Sequence, residues 1–116
     1  MDCYRVVLVD EAKEMLRRIG RRYGKKTYEV IRDLIQDLEY EPEKKGDMLR
    51  SPLHGLHSLH YSRFRILYLV ENQEARVIVV AAGFHQAGSR DDIYEKVDRW
   101  IESGRIVLNP RKKLPP

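Results

Sequence analysis

Two runs rich in aliphatic and β-branched residues, Arg63–Val70 and Ala75–Ala82, stand either side of the polar tetrapeptide Glu71-Asn72-Gln73-Glu74. Such residues suit a pleated, partly buried surface, and the short polar break between them predicts two consecutive strands at the centre of the fold. In the first run Phe64, Ile66, Tyr68 and Val70 alternate with Arg63, Arg65, Leu67 and Leu69. Arg63 and Arg65 therefore emerge on a face that turns apolar further along. A strand just before them would put Leu56, Ser58, His60 and Ser62 on one face, and His57, Leu59 and Tyr61 on the other.

The remaining elements follow from periodicity. Tyr4–Val9 is a nearly continuous apolar run, predicting a strand buried on both faces. Asp10 is positioned to cap a helix whose stripe is Ala12, Met15, Leu16 and Ile19, and Gly24 marks its end. A second helix is predicted over Lys26–Glu39, with the stripe Val30, Ile31, Leu34, Ile35 and Leu38. The two form an α-hairpin packed on the sheet. Glu41–Leu53, with two prolines and a glycine, is read as a loop. Ser89 and Asp92 are spaced as a capping box before a last helix whose stripe is Ile93, Val97, Trp100 and Ile101, stopped by Gly104. These readings give an α+β fold in the order β-α-α-β-β-β-α over residues 1–104, then a basic, proline-containing tail, 105–116. Within the tail, Ile106-Val107-Leu108 would add a strand or pack on a neighbour, and the rest is expected to be disordered.

Composition excludes several classes. A lone cysteine cannot build an intramolecular disulfide framework and agrees with a reducing, cytoplasmic setting. No apolar run reaches membrane-spanning length, and the N-terminus lacks a secretory pattern. The net charge of +4 suits an anionic partner. The distinctive content is histidine: all four (His54, His57, His60 and His85) fall within the central stretch. Metal ligation is a poor reading of them, because on an extended strand a spacing of three splits the first three between two faces, and no cysteine is near.

The central residues resemble those of the RelE/ParE superfamily of toxins from bacterial type II toxin–antitoxin modules. Leu53-His54-Gly55 corresponds to that family's Leu-Lys-Gly, and His60 falls where its first central strand often carries arginine. Phe64-Arg65-Ile66-Leu67-Tyr68 matches its Tyr-Arg-aliphatic-aliphatic-Tyr strand, and Gly83-Phe84-His85 with Ile93-Tyr94 matches its closing element. The chain departs from the pattern at the Ser62-Arg63 turn, where the family has Gly-Asp, and in the longer spacing from His85 to Tyr94. Either His85 or Arg90 could therefore fill the family's basic position.

The resemblance implies a mostly antiparallel four-stranded sheet, packed by an N-terminal α-hairpin and a C-terminal helix. It also implies a toxin that cleaves mRNA as an endoribonuclease without metal or other cofactor, either on free RNA or only on the ribosome, neutralised by an antitoxin. The alternatives are a ParE-like inhibitor of DNA gyrase and a non-catalytic partner-binding member of the fold. Cleavage through the 2′-hydroxyl needs a base, an acid and a cation for the extra charge on phosphorus. Histidine suits both proton roles near neutrality, and arginine grips phosphate oxygens in pairs. The expected catalytic group is Arg65, His85, Tyr94 and His60, with His54, Arg63, Arg90 and Tyr61 contacting RNA.

Overall fold

The computed structural model of the protein describes residues 3–106. The elements run β1 (Arg5–Leu8), α1 (Asp10–Tyr23), α2 (Lys25–Gln36), α3 (Pro42–Lys45), β2 (Asp47–Met48), β3 (His57–Tyr61), β4 (Phe64–Glu71), β5 (Arg76–Phe84) and α4 (Ile93–Glu102). A 3-10 turn, Asp37–Glu39, prolongs α2 to the predicted helix end. The sheet order is β1-β5-β4-β3-β2, with β1 parallel to β5 and every other pairing antiparallel.

The α+β architecture is therefore the expected one, with five strands in place of four. The extra strand and α3 come from the proline-containing stretch read as a loop. Pro42 stands in the first turn of α3, where its missing N–H costs nothing. Gly46 then lets the chain lie against β3, since a Cβ there would stand 2.7 Å from both the Ser58 carbonyl oxygen and the Tyr68 hydroxyl. The reading of β1 as buried on both faces is corrected. It is the margin of the sheet, and Val7 is 39% exposed because only the Val6 and Leu8 side is covered by the α-hairpin. Asp10 is also reassigned: it opens α1 from inside, and the residue before it makes no side-chain cap bond.

The sheet divides the interior in two. On one side α1 and α2 cover Phe64, Ile66, Tyr68, Val77 and Val79 with Leu16, Ile31 and Leu38. On the other, Ile93 and Val97 of α4 pack over Leu56, Leu67, Val80 and Ala81. The register between β4 and β5 jumps here, with Leu67 opposite Ala81 but Tyr68 opposite Val79. Val80 is thus an inserted bulge residue, and it reverses the alternation of β5. Val77 and Val79 face the α-hairpin before it, whereas Ala82 faces the hairpin after it. Gly83 and His85 are thereby carried to the α4 face.

Arg105 lies over the Trp100 ring at 5.6 Å, and Ile106 packs against the α4-side core. Val107, Leu108 and the proline-containing end, for which a strand and disorder are expected, lie outside the described residues. No helix among the described residues is long and apolar enough to cross a membrane.

Tyr68 ties the two halves of the fold together. Its ring is fully buried, stacks on His57 at 5.3 Å, and its hydroxyl donates to the Pro42 carbonyl at 2.7 Å. Burial pushes that hydroxyl up to about 12, so it remains a donor at any ordinary pH. Tyr68→Phe leaves the Pro42 carbonyl without its partner and is expected to lower the unfolding free energy by about 1–2 kcal/mol, measured by urea titration.

Candidate functional site

The polar residues gather on the α4 face, at the end of the sheet where β3 turns into β4 and β5 leaves. His60 stands directly opposite Arg65 in the β3–β4 ladder, and Arg65 opposite Gly83 in the β4–β5 ladder. The His85 N–H continues that ladder, donating to the Arg63 carbonyl at 2.8 Å. With the bulge fixing its parity, His85 falls diagonally across from Arg65 on one face. His60 feels the charge of both: partial burial lowers its affinity for a proton most, the Arg65 guanidinium and His85 lower it further, and Asp47 opposes them. His60 is accordingly biased towards the neutral ring.

Arg65 is folded back on its own turn. Nη1 donates to the carbonyls of Ser62 and Phe64, both at 2.9 Å. Nε is buried with no hydrogen-bond partner among the described residues. A buried donor without a partner is uncommon, and the guanidinium as a whole is a permanent cation on this face.

His85 is held by Asp92. Its Nδ1 is 2.6 Å from Asp92 Oδ1, which also accepts the Gln86 N–H at 2.6 Å. Asp92 Oδ2 accepts the N–H groups of Tyr94 and Glu95 at 3.0 and 3.3 Å, so this carboxylate, not Ser89, is the cap of α4. Ser89 Oγ accepts only the Asp91 N–H, at 3.1 Å. Burial would raise the Asp92 carboxyl, but the Gln86 N–H, the His85 ring and the Glu95 N–H outweigh it and hold the group below the usual carboxylate range. An ionised carboxylate only accepts, so Nδ1 carries the proton and Nε2 is the free nitrogen of the neutral ring.

Tyr94 completes the cluster. Its ring meets His85 edge-on at 5.1 Å, and its hydroxyl is 2.8 Å from Ser58 Oγ on β3, so the side chain spans β4. Gly83 permits this approach, because a Cβ there would come within 3.0 Å of Ile93 at the start of α4. The long spacing between His85 and Tyr94 is absorbed by two turns, closed by Ser89 N–H to Gln86 O and Asp92 N–H to Ser89 O. His85, rather than Arg90, therefore stands beside Tyr94. Arg90 is exposed on the same loop, its carbonyl bound by Arg99 at 2.9 Å.

The other predicted residues divide. His54 is exposed on the turn before β3. Tyr61 is turned away from the cluster, packed with Phe64 on the α-hairpin side at 6.4 Å. Strand alternation puts it on the face opposite His60, as read from the spacing, and so away from the cluster where it was expected to meet RNA. Arg63 also leaves the cluster, lying over the Phe84 ring at 5.0 Å. His57 is buried and held neutral chiefly by desolvation, a packing residue. Two participants were missed, Asp92 and Ser58. An aspartate immediately before the Ile93-Tyr94 pair was a legible cap, but nothing in the sequence linked it to His85. Among the described residues no group of three or more metal-ligating side chains converges.

This arrangement can be set beside known proteins. A family model described as the ParE toxin of the type II toxin–antitoxin system parDE matches residues 6–87. The chain belongs to the ParE toxin family. As a RelE/ParE-superfamily toxin it shares its fold with solved structures of low sequence identity. The toxin–antitoxin complex RelBE2 of Mycobacterium tuberculosis includes a chain 22% identical, with a TM-score of 0.64 over 73% of this chain and 94% of that one. An arginine-substituted mutant of the Escherichia coli toxin RelE in the free state is 17% identical, with a TM-score of 0.64 over 90% and 99%. The YoeB/ParE toxin of Agrobacterium tumefaciens is 22% identical, with a TM-score of 0.61 over 71% and 99%. No curated protein sequence matches this toxin.

The role of Asp92 in holding the toxin's exit loop is open to test. Its carboxyl releases a proton more readily folded than unfolded. Its contribution to stability is therefore present above the unfolded pKa of about 3.9 and is lost as pH falls through the lower folded value. Asp92→Ala is expected to cost about 1–2 kcal/mol at neutral pH, and less as the pH is taken below that range, as read from denaturant unfolding at several pH values.

Proposed function

We propose that the toxin is an endoribonuclease that cleaves RNA at the α4 face of its sheet. The observation that carries this reading is the convergence of the Arg65 guanidinium and two imidazoles in different settings on one face of the sheet. The RNA 2′-hydroxyl oxygen attacks the adjacent phosphorus while the bond to the 5′-oxygen breaks, leaving a 2′,3′-cyclic phosphate and a free 5′-hydroxyl. His60, biased towards the neutral ring, accepts the 2′-hydroxyl proton. His85, whose protonated form would pair with Asp92 at 2.6 Å, delivers a proton to the leaving oxygen from Nε2. Arg65 stabilises the charge gathered on the phosphorane oxygens. Tyr94 keeps His85 in place and offers a ring for a base, and Arg90, exposed on the loop after His85, would meet RNA there, while His54, before the other end of β3, would meet it farther along. An antitoxin is the expected partner, as the similar chain in the M. tuberculosis RelBE2 complex has one.

A second reading, prompted by the match to a ParE toxin model, is inhibition of DNA gyrase, in which the imidazoles carry no chemistry. Arg65→Ala is expected to reduce RNA cleavage, by the purified toxin or on translating ribosomes, by about 10²–10³-fold, and His85→Ala by about 10²–10⁴-fold. Both should unfold within about 1–2 kcal/mol of the wild type, because each loses only a few hydrogen bonds. An RNA with deoxyribose at the cleaved position should resist the wild-type toxin. Cleavage of that RNA, or growth arrest with gyrase inhibition that survives His85→Ala, would overturn the ribonuclease reading.

A further inference from the structure

A second polar surface lies on the other side of β5. β1 pairs with β5 only as far as Val79, so the last residues of β5 have no strand beyond them, and α1 and α4 close over the gap. They enclose a cleft of ≈ 620 Å³ whose walls carry four cations, Arg18, Arg22, Arg63 and Lys96, and one carboxylate, Asp91.

These cations are poorly compensated. Arg18 reaches Glu14 only at 3.8 Å, and that carboxylate already binds Arg17 and Arg21 at 3.0 and 3.1 Å. Arg22 and Arg63 lie over the rings of Tyr23 and Phe84, at 5.7 and 5.0 Å. A cation on a ring face keeps its charge available to a further anion. Tyr23, 40% exposed, stacks on Phe84 at 5.3 Å and adds an aromatic surface. The cleft adjoins the candidate site along the chain: Arg63 in its wall is two residues before Arg65, and Gln86 in its wall follows His85.

We propose that this cleft holds the phosphodiester backbone of the single-stranded RNA that flanks the cleaved position, with Arg22, Arg63 and Lys96 on phosphates and Tyr23 against a base. Cations interleaved with aromatic rings are what a flexible single strand requires, whereas an acidic polypeptide would use the charges and leave the rings idle. The assignment rests on the ribonuclease reading and deepens it by giving the substrate a path.

The test compares wild type with Arg22→Glu/Lys96→Glu, two positions outside the cleavage machinery, with folding checked by thermal unfolding. Each protein is given a long single-stranded RNA and a trinucleotide. KM for the long RNA is expected to rise about tenfold in the variant with kcat unchanged, while the trinucleotide kinetics do not move. The salt dependence of binding should flatten by about 0.7 for each lost phosphate contact. Equal KM and equal salt slope in a folded variant overturn the proposal. So does unaltered RNA handling combined with weakened antitoxin binding, which would give the cleft to an acidic polypeptide. If wild type cleaves neither RNA, the ribonuclease reading is what has failed. Fluorescence anisotropy with the same long RNA then decides the cleft alone: salt-sensitive binding lost in the variant upholds it, and equal binding overturns it.

Discussion

One carboxylate holds the working end of this protein together. Asp92 accepts from the Gln86 main chain and the His85 ring through one oxygen, and from the first turn of α4 through the other. Three separate pieces of chain, the β5 exit, the Gln86–Asp91 loop and the last helix, are thereby fixed to one point. An ionised group is normally expensive to bury, and this one is buried because its acceptor positions are filled by N–H donors. A helix cap and an imidazole anchor are here the same group, so the geometry of His85 is coupled to the docking of α4.

The sheet acts as a partition with different work on each side. The α-hairpin side is a dense apolar layer, with Tyr68 sealing it against α3 through a buried hydroxyl. The α4 side is apolar only towards the middle, where Ile93 and Val97 sit over Leu67, Val80 and Ala81. Beyond them the same strands carry Arg65, His60 and Ser58, over which Tyr94 reaches. Polar chemistry is thus mounted on strand backbone fixed from behind by a packed core, which keeps the charged side chains in register.

Much of this was legible in the sequence, for identifiable reasons. The α-hairpin, the central strands and the last helix follow from periodicities that tertiary packing did not override. Leu16, Ile31, Ile35 and Val97 are buried as their spacing predicts. The pairing of His60 with Arg65 follows from placing the hairpin turn at Ser62-Arg63, and strand alternation then sends Tyr61 to the opposite side. The short strand at Asp47–Met48 was illegible because it depends on Gly46 fitting against β3, a tertiary fact. β1 was over-read: a run of valines says that a strand forms, not whether a neighbour covers its second face. Asp92 was legible as a helix start but not as a partner of His85, since the returning loop between them has no pattern of its own.

The bulge at Val80 has a wider meaning. Because side chains on a strand alternate strictly, an extra residue must either flip everything downstream or be absorbed as a bulge, and here Val80 is absorbed. Substitutions along β5 change only volume and polarity, and loss of Val80 would restore regular alternation with the imidazole still on the α4 face, whereas a further residue gained between Val79 and Gly83 without a second bulge would send the imidazole to the hydrophobic layer. The one bulge thus accommodates one residue more than a regular ladder needs, and no more.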